Sequence, residues 1–435
     1  MTSKASLASS AEPCQSRSAT GNDKVPFFTA AFVVVVLYSG NNMPSALYGV
    51  FRHAFGFSPL TQTMLYTAAV AVILPGLLVF GPLSDAVGRR LPMVAGLVSF
   101  ALGDVLFATA QGVAWLYAGR LAQGLGVAAA TAAAQATLTD TAVRDAAVSG
   151  RSGRAGAVAR AQRKAAVTAT ACVTFGLAVG PLLGGVLGQY APAPRQLAFL
   201  VHLALVLIAA VGAMRVQDGN ATHGHVRLAR VGVPPAIRRT FVVASASSFL
   251  AWAVLGVFSA VLPSLVGGLL HTTNLALTAG ALVLMIAMSG FVQLVNRRIK
   301  PLAAQAWGLV ALAVGLMFLV GAAFTAGTLL TVPAMLCTGV GHGLVYAGGL
   351  YEITVVSPPR DRGSVTATYY AVSYVGLGGP AIGVGLLALS GGLVAAIRLV
   401  AMVIAALCLL LLPLIVREGN RRSTAGAPTT AAQQE

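Results

Sequence analysis

Runs of about twenty apolar residues recur along the whole chain, and they constrain its fold more than any other feature. Each run matches the roughly 30 Å hydrocarbon core of a bilayer at a rise of about 1.5 Å per residue. Backbone polar groups inside lipid must be satisfied within the spanning segment, so these runs are helices and not strands. Hydrophobic residues make up 57% of the 435 residues, and the mean hydropathy is +0.83. The sequence therefore predicts an all-α membrane protein.

Twelve such runs can be counted, and the connections after the fourth and sixth are the longest. This predicts two six-helix bundles, residues 27–215 and 239–416, joined by a cytoplasmic linker over residues 216–238. Residues 1–26 lack an apolar core, so we expect a disordered tail and not a signal peptide, and residues 417–435 form a second tail. The runs begin near Phe27, Leu60, Leu91, Val113, Ala165, Gln196, Arg239, Leu275, Leu302, Thr328, Gly363 and Gly392.

The basic residues are distributed unevenly between the two sides that alternating spans define. With the N-terminus inside, 24 of the 28 Lys and Arg residues fall on inner segments, and only Arg52 and Arg195 fall on outer loops. By the positive-inside rule, this predicts an even number of spans and two cytoplasmic tails, in the inner or plasma membrane. The net charge of +17 is spread over short loops. We therefore expect the lipid bilayer, and no nucleic acid, as a partner.

The two halves of the chain repeat each other. The segment 81–92, "GPLSDAVGRRLP", has a degenerate copy at 290–301, "GFVQLVNRRIKP", at an offset of 209 residues and without the aspartate. Likewise "GLAVGPLLGG" (176–185) in the fifth span matches "GLGGPAIGVG" (376–385) in the eleventh. Both pairs lie six spans apart. This predicts a parallel duplication of six-helix units, which is common in transporters.

The fifth span carries glycines at every fourth position. Gly176, Gly180, Gly184 and Gly188 share one helix face, with Pro181 and Gly185 beside it. A stripe without Cβ atoms lets a neighbouring membrane helix approach closely. Pro181 removes one backbone hydrogen bond and permits a bend. The stripe is either ordinary small-residue packing or a bending surface in a moving bundle.

Residues 27–416 resemble the major facilitator superfamily of secondary transporters. "GPLSDAVGRR" is similar to its loop signature between helices two and three, and "GRLAQGLG" (119–126) is similar to its helix-four signature with an arginine. "GLAVGPLLGG" resembles the helix-five motif of antiporters, chiefly drug:H⁺ exporters. The resemblance implies twelve transmembrane helices in two pseudo-symmetric six-helix bundles. It also implies a proton gradient as the energy source, with no cofactor.

By the same resemblance, the segment after the second span acts as a conformational latch at the cytoplasmic side. Asp85 and Arg89 can pair if the helix continues, and Gly81 would allow a tight crossing with a partner helix. Asp140, at the inner end of the fourth span, is placed to join Arg89 or Arg90. Positive-inside anchoring alone explains the arginines but not the aspartate or Gly88. The predicted latch residues are Gly81, Asp85, Gly88, Arg89, Arg90 and Asp140.

Ionisable residues inside the spans are expensive and each needs an explanation. Arg120 lies about 10 Å below the outer end of the fourth span, and Asp104 lies about 9 Å below that of the third. At this matched depth they either pair, or Asp104 extends outward to the interface. The family resemblance implies a role in proton coupling for Arg120, and we assign Asp104 to the same site. Arg398, in the twelfth span, is expected to extend to the interface.

Five other polar residues mark a predicted substrate pathway: Asn41, Asn42, Gln123, His342 and Tyr346. The asparagines interrupt the first apolar run near Pro44, and Gln123 shares a helix face with Arg120. His342 is either structural or a group that titrates near neutral pH. Aromatic residues amount to only 7%, which predicts no large stacking cage for flat cations.

The sequence thus predicts a monomeric secondary transporter, namely a proton-coupled exporter of small amphipathic compounds. A metabolite importer or facilitator for a sugar or organic acid is the alternative within the same fold. A membrane-embedded enzyme is a distant third, because the ionisable residues show no catalytic spacing. The four cysteines show no paired spacing, and no metal site is predicted.

Overall fold

The computed structural model describes residues 24–148, 154–216, 232–296, 299–325, 328–358 and 360–425. Within these ranges the chain forms α-helices, one short 3₁₀ turn (Pro235–Ile237) and no strand. The helices are α1 (Lys24–Asn42), α2 (Pro44–Phe55), α3 (Pro59–Val87), α4 (Arg90–Ala108), α5 (Val113–Val148), α6 (Arg154–Tyr190), α7 (Leu197–Met214), α8 (Arg238–Leu269), α9 (Leu275–Val295), α10 (Pro301–Thr325), α11 (Thr328–Val356) and α12 (Arg362–Ala425).

The helices account for the twelve predicted membrane crossings. Ten helical segments of the described chain are long and apolar enough to cross a bilayer, with α1 and α2 together forming the first. The segment α12 counts once among the ten, but Gly392 bends it (φ 76°, ψ 163°) into two arms, 362–391 and 393–425. Helix α5 is not among the ten, and its apolar sequence is interrupted by polar residues such as Arg120, Gln123 and Gln135. It packs between α3 and α4 as a further crossing, so the predicted fold class is confirmed.

The helices pack as two bundles, α1–α7 and α8–α12. Within the first, α5 contacts α1, α3, α4 and α6; within the second, α11 contacts α8, α9, α10 and α12. Two seams join the bundles, α6 against α9 and α3 against α12. Helix α6 is the fifth span and α9 the eighth, whereas α3 is the second span and the first arm of α12 the eleventh. The two seams are therefore equivalent under the six-span repeat, as a parallel duplication requires.

The outer surface of the bundles is apolar. Helices α4, α7 and α10 expose large hydrophobic side chains, among them Val98, Ile208 and Trp307 at 61%, 61% and 66%. An exposed apolar surface of this extent is unusual for a protein in water and suits contact with lipid chains. Helix α8, by contrast, is buried along most of its length.

The two ends of the molecule differ in charge. Helices α4, α8 and α12 begin with Arg90, Arg238 and Arg362 at the same end, which we call the basic face. Helices α3 and α9 begin at the other end, which we call the opposite face. The predicted linker and N-terminal tail lie mostly outside the described residues, as does Arg298. The predicted C-terminal tail begins as helix, because α12 continues to Ala425.

Candidate functional site

A cavity of about 530 Å³ lies between the two bundles. It is lined by residues from α1, α3, α5 and α6 of the first bundle and from α8, α9, α11 and α12 of the second. Among the described lining residues there is no Asp, Glu, Lys or Arg. Its polar groups are amides, hydroxyls, the Trp252 indole and the His342 imidazole, and much of the remainder is aliphatic. The cavity can therefore hold a molecule that is partly apolar and carries no charge needing a counter-ion.

Aromatic rings concentrate on the second-bundle wall of this cavity. The ring of Trp252 lies 5.3 Å from that of Tyr374 and 5.6 Å from that of Tyr346, and His342 stacks on Tyr346 at 6.2 Å. Five of the chain's ten tyrosines line the cavity. The low aromatic content predicted no large cage, but composition says nothing about distribution. Here a small number of rings is gathered at one place.

Three polar atoms of the cavity wall have no hydrogen-bond partner. They are Asn41 Oδ1, Trp252 Nε1 and His342 Nε2, and all three are buried. The other imidazole nitrogen, His342 Nδ1, lies 2.7 Å from Ser289 Oγ. An unpartnered buried polar atom costs about 1–3 kcal/mol, so such atoms are rare unless a ligand or water satisfies them. Three lining residues thus carry an acceptor, a donor and an imidazole nitrogen that have no partner in the described conformation.

The cavity extends to the basic face and is closed at the opposite face. Its lining reaches Gly81 and Pro82, at the basic end of α3. Toward the opposite face, Gln62 of α3 donates to the Ala260 carbonyl of α8 at 2.7 Å. There too, the Leu275 amide of α9 donates to Gln189 of α6 at 2.8 Å. The described conformation is therefore open on the side that the sequence predicts to be cytoplasmic.

The predicted substrate-pathway residues divide into two groups. Asn41, His342 and Tyr346 line the cavity, and so does Asn42, which also donates to the Leu177 carbonyl of α6 at 2.9 Å. Gln123 is not among the lining residues. It is fully buried between α4 and α5, and so lies outside the cavity of the described conformation.

The glycine stripe of α6 packs against the first span. A Cβ on Gly176 would lie 2.6 Å from the Val35 carbonyl oxygen, and one on Gly184 would lie 2.8 Å from that of Met43. Gly180 faces the Ser39 carbonyl in the same way. Gly185 instead faces Ala279 of α9, across the seam between the bundles. The helix, with Pro181 inside it, therefore contacts both the first span and the other bundle.

The predicted latch residues cluster at the basic face. Helix α3 ends at Val87, and Gly88 (φ 94°) takes a left-handed conformation that favours glycine. Although the helix does not continue, Arg89 still pairs with Asp85, and its Nε also lies 3.3 Å from Asp140 Oδ2. Arg90 begins α4. All of these groups belong to the first bundle.

Gly81 makes no close helix contact in the described conformation. We expected it to permit a tight crossing with a partner helix, but a Cβ there would have no neighbour within 4 Å. Gly81 instead lines the cavity, because the bundles are apart at the basic face. Close approach at Gly81 would require this face to close.

A fully buried polar network crosses four helices of the first bundle. Asp104 of α4 accepts from Gln123 of α5 at 3.0 Å, and its other oxygen lies 2.7 Å from His202 Nδ1 of α7. Arg120 donates to Gln123 Oε1 at 3.1 Å and to the Asn41 carbonyl of α1 at 2.8 Å. Asp104, Arg120, Gln123 and His202 are each 0% exposed. We call these four side chains the buried network.

The buried network replaces both alternatives that the sequence left open for Asp104. Asp104 neither pairs directly with Arg120 nor extends to the interface, because Gln123 lies between the two charges and His202 takes the second carboxylate oxygen. Within the described chain, no carboxylate lies within ion-pair distance of Arg120. Its remaining donors reach the main-chain oxygens of Leu65 and Tyr66.

Arg398 lies in the second bundle, on the second arm of α12. It donates to the Ala323 carbonyl near the end of α10, and its guanidinium lies 4.1 Å from the centre of the Phe324 ring. Both residues are close to the last described turn of α10 at the opposite face. This is the geometry expected of an arginine that extends toward the interface.

The fold and motifs have a counterpart among known proteins. The family model described as Major Facilitator Superfamily matches residues 30–379. The chain belongs to the major facilitator superfamily. It is thus a multi-pass membrane transporter of that superfamily.

Two curated members of the superfamily resemble part of the chain. The MFS-type transporter traF of Penicillium crustosum is 32% identical over 168 residues, which is 37% of this chain and 31% of that protein. The MFS efflux transporter aclA of Aspergillus oryzae is 31% identical over 170 residues, 38% of this chain and 27% of that protein. The chain thus matches about three tenths of the length of these relatives.

Solved structures of the superfamily share the fold. A bacterial homolog of the human lysosomal transporter Spinster, in an inward-facing and unoccupied conformation, superposes with a TM-score of 0.71 at 14% identity, over 92% of this chain and 99% of that one. The peptide transporter POT gives a TM-score of 0.69 at 13% identity, over 92% and 95%. At these identities the likeness describes the fold alone.

Proposed function

We propose that this superfamily member is a proton-coupled exporter of small amphipathic molecules that carry no net charge. The observation that carries the proposal is the central cavity. It reaches the basic face, has no charged side chain among its described lining residues, and combines aromatic rings with unpartnered polar atoms. A molecule with an apolar ring and a few hydrogen-bonding groups would satisfy both features.

Export from the cytoplasm follows from the predicted orientation. The positive-inside asymmetry places the basic face in the cytoplasm of an inner or plasma membrane, so the open cavity receives molecules from that side. The α6 segment resembles the antiporter motif, and one relative is called an efflux transporter. Alternating access would proceed by rocking of the bundles about the α6–α9 and α3–α12 seams. We expect a monomer that uses protons and no cofactor.

An importer of an organic acid is less compatible with this cavity. A buried carboxylate needs a cationic partner or several donors, and no Lys or Arg is present among the described lining residues. A neutral sugar would need many donors and acceptors, whereas most side chains of the second-bundle wall are aliphatic or aromatic. The direction of transport separates an importer from an exporter.

The test uses everted membrane vesicles that hold a preformed pH gradient. Chloramphenicol is a suitable first probe, because it is uncharged and combines one aromatic ring with hydroxyl and amide groups. We expect its addition to collapse the gradient in vesicles that contain the protein and not in vesicles without it. Uptake of the probe should stop when an uncoupler is added. Uptake that continues with the uncoupler present would contradict proton coupling.

A further inference from the structure

The buried network lies outside the cavity, and its hydrogen bonds define how many protons it holds. His202 Nε2 lies 2.9 Å from the Val36 carbonyl oxygen of α1. A carbonyl oxygen can only accept, so Nε2 carries a hydrogen. His202 Nδ1 lies 2.7 Å from Asp104 Oδ2, and this contact also needs a hydrogen between the two atoms. In the described geometry, the Asp104–His202 pair therefore holds one proton more than an ionised aspartate and a neutral histidine would.

That proton changes the charge of the network. With it, Asp104 and His202 are together neutral, and Arg120 gives the four side chains a net charge of +1. Without it, the carboxylate balances Arg120 through the Gln123 amide, which donates to Asp104 and accepts from Arg120. Gain or loss of this single proton would therefore change the net charge of the network between +1 and zero. Charge differences of this size are energetically important inside a membrane.

The fold does not require charges at this helix crossing. In the first bundle, α4 and α5 cross through Gly103 and Gly119; in the second, α10 and α11 cross through Gly315 and Ala334. Asp104 follows Gly103 and Arg120 follows Gly119, whereas the residues that follow at the second crossing are Leu316 and Met335, at 2% and 0% exposure. The duplicated crossing thus packs without a charged side chain, and its Thr338 hydroxyl bonds to carbonyls of its own helix. The charged pair in the first bundle needs another explanation.

The network also contacts the helix that lines the cavity. Ser39 Oγ of α1 donates to the Val36 carbonyl at 2.9 Å and lies 3.2 Å from His202 Nε2. A Cβ on Gly40 would clash with the imidazole ring, so the ring packs directly on the α1 backbone. The next residue, Asn41, accepts from Arg120 through its carbonyl and is also one of the residues that line the cavity. One turn of α1 therefore lies between the network and the cavity.

We propose that the Asp104–His202 pair binds the proton that is exchanged for substrate, and that α1 transmits its loss to the cavity. The inference rests on the proposed proton coupling and names its site. On release, the Nε2–H bond of His202 breaks, the proton goes to water, the electron pair stays on Nε2, and no other covalent bond changes. The neutral imidazole that remains has one N–H. This hydrogen stays on Nδ1, because its hydrogen bond to the charged Asp104 carboxylate is stronger than one to a neutral carbonyl. Nε2 then becomes an acceptor, and the Ser39 hydroxyl turns to it from the Val36 carbonyl.

Few titratable groups face the pair from the helices that pack around it. From α5, the nearest charge is Arg120, one amide away. The described contacts from α1 are the Val36 carbonyl and the Ser39 hydroxyl, and α4 adds the Phe100 ring at 5.5 Å. Beyond Arg120, Tyr66 of α3 lies 6.0 Å from the guanidinium, and Tyr48 of α2 is near it. A titration of the buried network is therefore a titration of Asp104 and His202 together.

The first test measures the proton directly and needs no substrate. The full chain is labelled with ¹⁵N-histidine, purified in detergent and studied by NMR. The chain has six histidines, and the spectrum of His202→Gln assigns the signal of interest. As pH rises from about 5 to about 9, we expect Nε2 to pass from protonated to unprotonated while Nδ1 keeps its hydrogen. In Asp104→Asn this transition should be lost or displaced. A His202 ring whose two nitrogens do not change over this range would overturn the proposal.

The second test separates coupling from transport. Purified protein in liposomes is supplied with radiolabelled chloramphenicol, with or without a pH gradient. We expect Asp104→Asn and His202→Gln to lose gradient-driven accumulation at least tenfold while exchange of internal for external probe continues. The control is Thr338→Val, at the matching crossing of the second bundle, where Thr338 bonds only to carbonyls of its own helix. It should retain both activities.

The outcomes distinguish this inference from the proposed function. Gradient-driven accumulation that survives both replacements would contradict the assignment to Asp104 and His202 and leave proton-coupled export intact. Wild-type accumulation of chloramphenicol that is the same with and without the pH gradient would contradict proton coupling itself. Should the wild-type protein not move chloramphenicol, the proposed substrate class would be wrong, and the NMR titration alone would decide whether the pair binds a proton. Variants that elute as aggregates are replaced by Ser39→Ala, which should weaken coupling while the titration remains.

Discussion

Gln123 is a neutral side chain that contacts an anion and a cation at the same time. Its amide donates to Asp104 and accepts from Arg120, and both charged groups are fully buried. A buried charge that loses a hydrogen-bond partner costs more than a neutral group in the same position. Gln123 therefore stabilises the network although it carries no charge of its own.

The Gln123→Leu variant should be strongly destabilised. It leaves one carboxylate oxygen of Asp104 and one Arg120 donor without a partner, so we expect a loss of about 2–4 kcal/mol, measured by thermal unfolding in detergent. Gln305→Leu is the matched control. Gln305 is also fully buried, but neither of its amide atoms has a partner, so its removal should leave stability unchanged or raised. Equal losses in the two variants would contradict the bridging role.

A second residue-scale prediction concerns the cavity. Trp252→Phe keeps a ring beside Tyr346 and Tyr374 but removes the unpartnered N–H. Because one hydrogen bond contributes about 0.5–1.5 kcal/mol, we expect chloramphenicol binding to weaken about threefold to tenfold in a scintillation proximity assay. Trp307→Phe, on the exposed surface of α10, should bind like the wild type. An unchanged affinity in Trp252→Phe would show that the indole N–H does not contact the probe.

The sequence identified two of the charged members of the network but not their partners. Asp104 and Arg120 are conspicuous because formal charge inside a span is rare, and matched depth suggested that they pair. His202 lies 98 residues from Asp104 in the chain. Its depth below the outer end of its own span is nevertheless similar to the depth of Asp104 in the third span. The same depth argument applied to histidines would have found it. The amide between the two charges could not be predicted, because it depends on the rotation of α4 relative to α5.

At the scale of helices, α6 is the element with the most demanding contacts. Its glycines face the carbonyls of the first span, and Gly185 faces α9 of the other bundle. The spacing of the glycines predicted close approach by a helix. It could not name the neighbour, since every fourth position marks a face and not a partner. The twelfth run was predicted to begin near Gly392, but hydropathy does not report whether such a junction is a loop or, as here, a bend in a continuing helical segment.

Gly180→Ala should separate α6 from the first span. The added Cβ would meet the Ser39 carbonyl, and backbone cannot move aside as a flexible side chain can. We expect a destabilisation of about 1–3 kcal/mol and reduced transport, read by thermal unfolding and by vesicle assay. Gly383→Ala tests the same change in the repeated motif of α12, where a Cβ would have no neighbour within 4 Å. That variant should behave as wild type; similar damage in both would refute the argument from close packing.

At the scale of the whole molecule, the described conformation separates the bundles at one face and joins them at the other. Gly81 is therefore in open space, and the cavity reaches the basic face. Sequence motifs located the latch residues but could not tell which conformation they occupy, because the same residues must serve every state of the transport cycle. The cluster of aromatic rings on the second-bundle wall of the cavity could not be predicted either, since it combines residues from α8, α11 and α12.

A disulfide across the opposite face should trap this conformation. A Cβ on Gly49 of α2 would lie 4.0 Å from Ser264 Oγ of α8, so cysteines at both positions are near enough to bond. In a background without the four native cysteines, oxidation of Gly49→Cys/Ser264→Cys should abolish transport, and reduction should restore it. The control, Ser248→Cys/Ser373→Cys, joins two hydroxyls 2.8 Å apart within the second bundle. Its oxidation should leave transport intact, and continued transport by the cross-bundle disulfide would argue against rocking.

The placement of Trp252, His342, Tyr346 and Tyr374 has a consequence for how such a protein can diversify. All four belong to the second bundle, whereas the buried network belongs wholly to the first. Under the two proposals made above, selectivity would reside mainly in the second half of the polypeptide and energy conversion in the first. Mutations that retune the preference for cargo can accumulate in one half without disturbing the machinery in the other. A chimera that exchanges only the second half for that of a related exporter should inherit the donor's drug-resistance profile and keep its own response to the pH gradient.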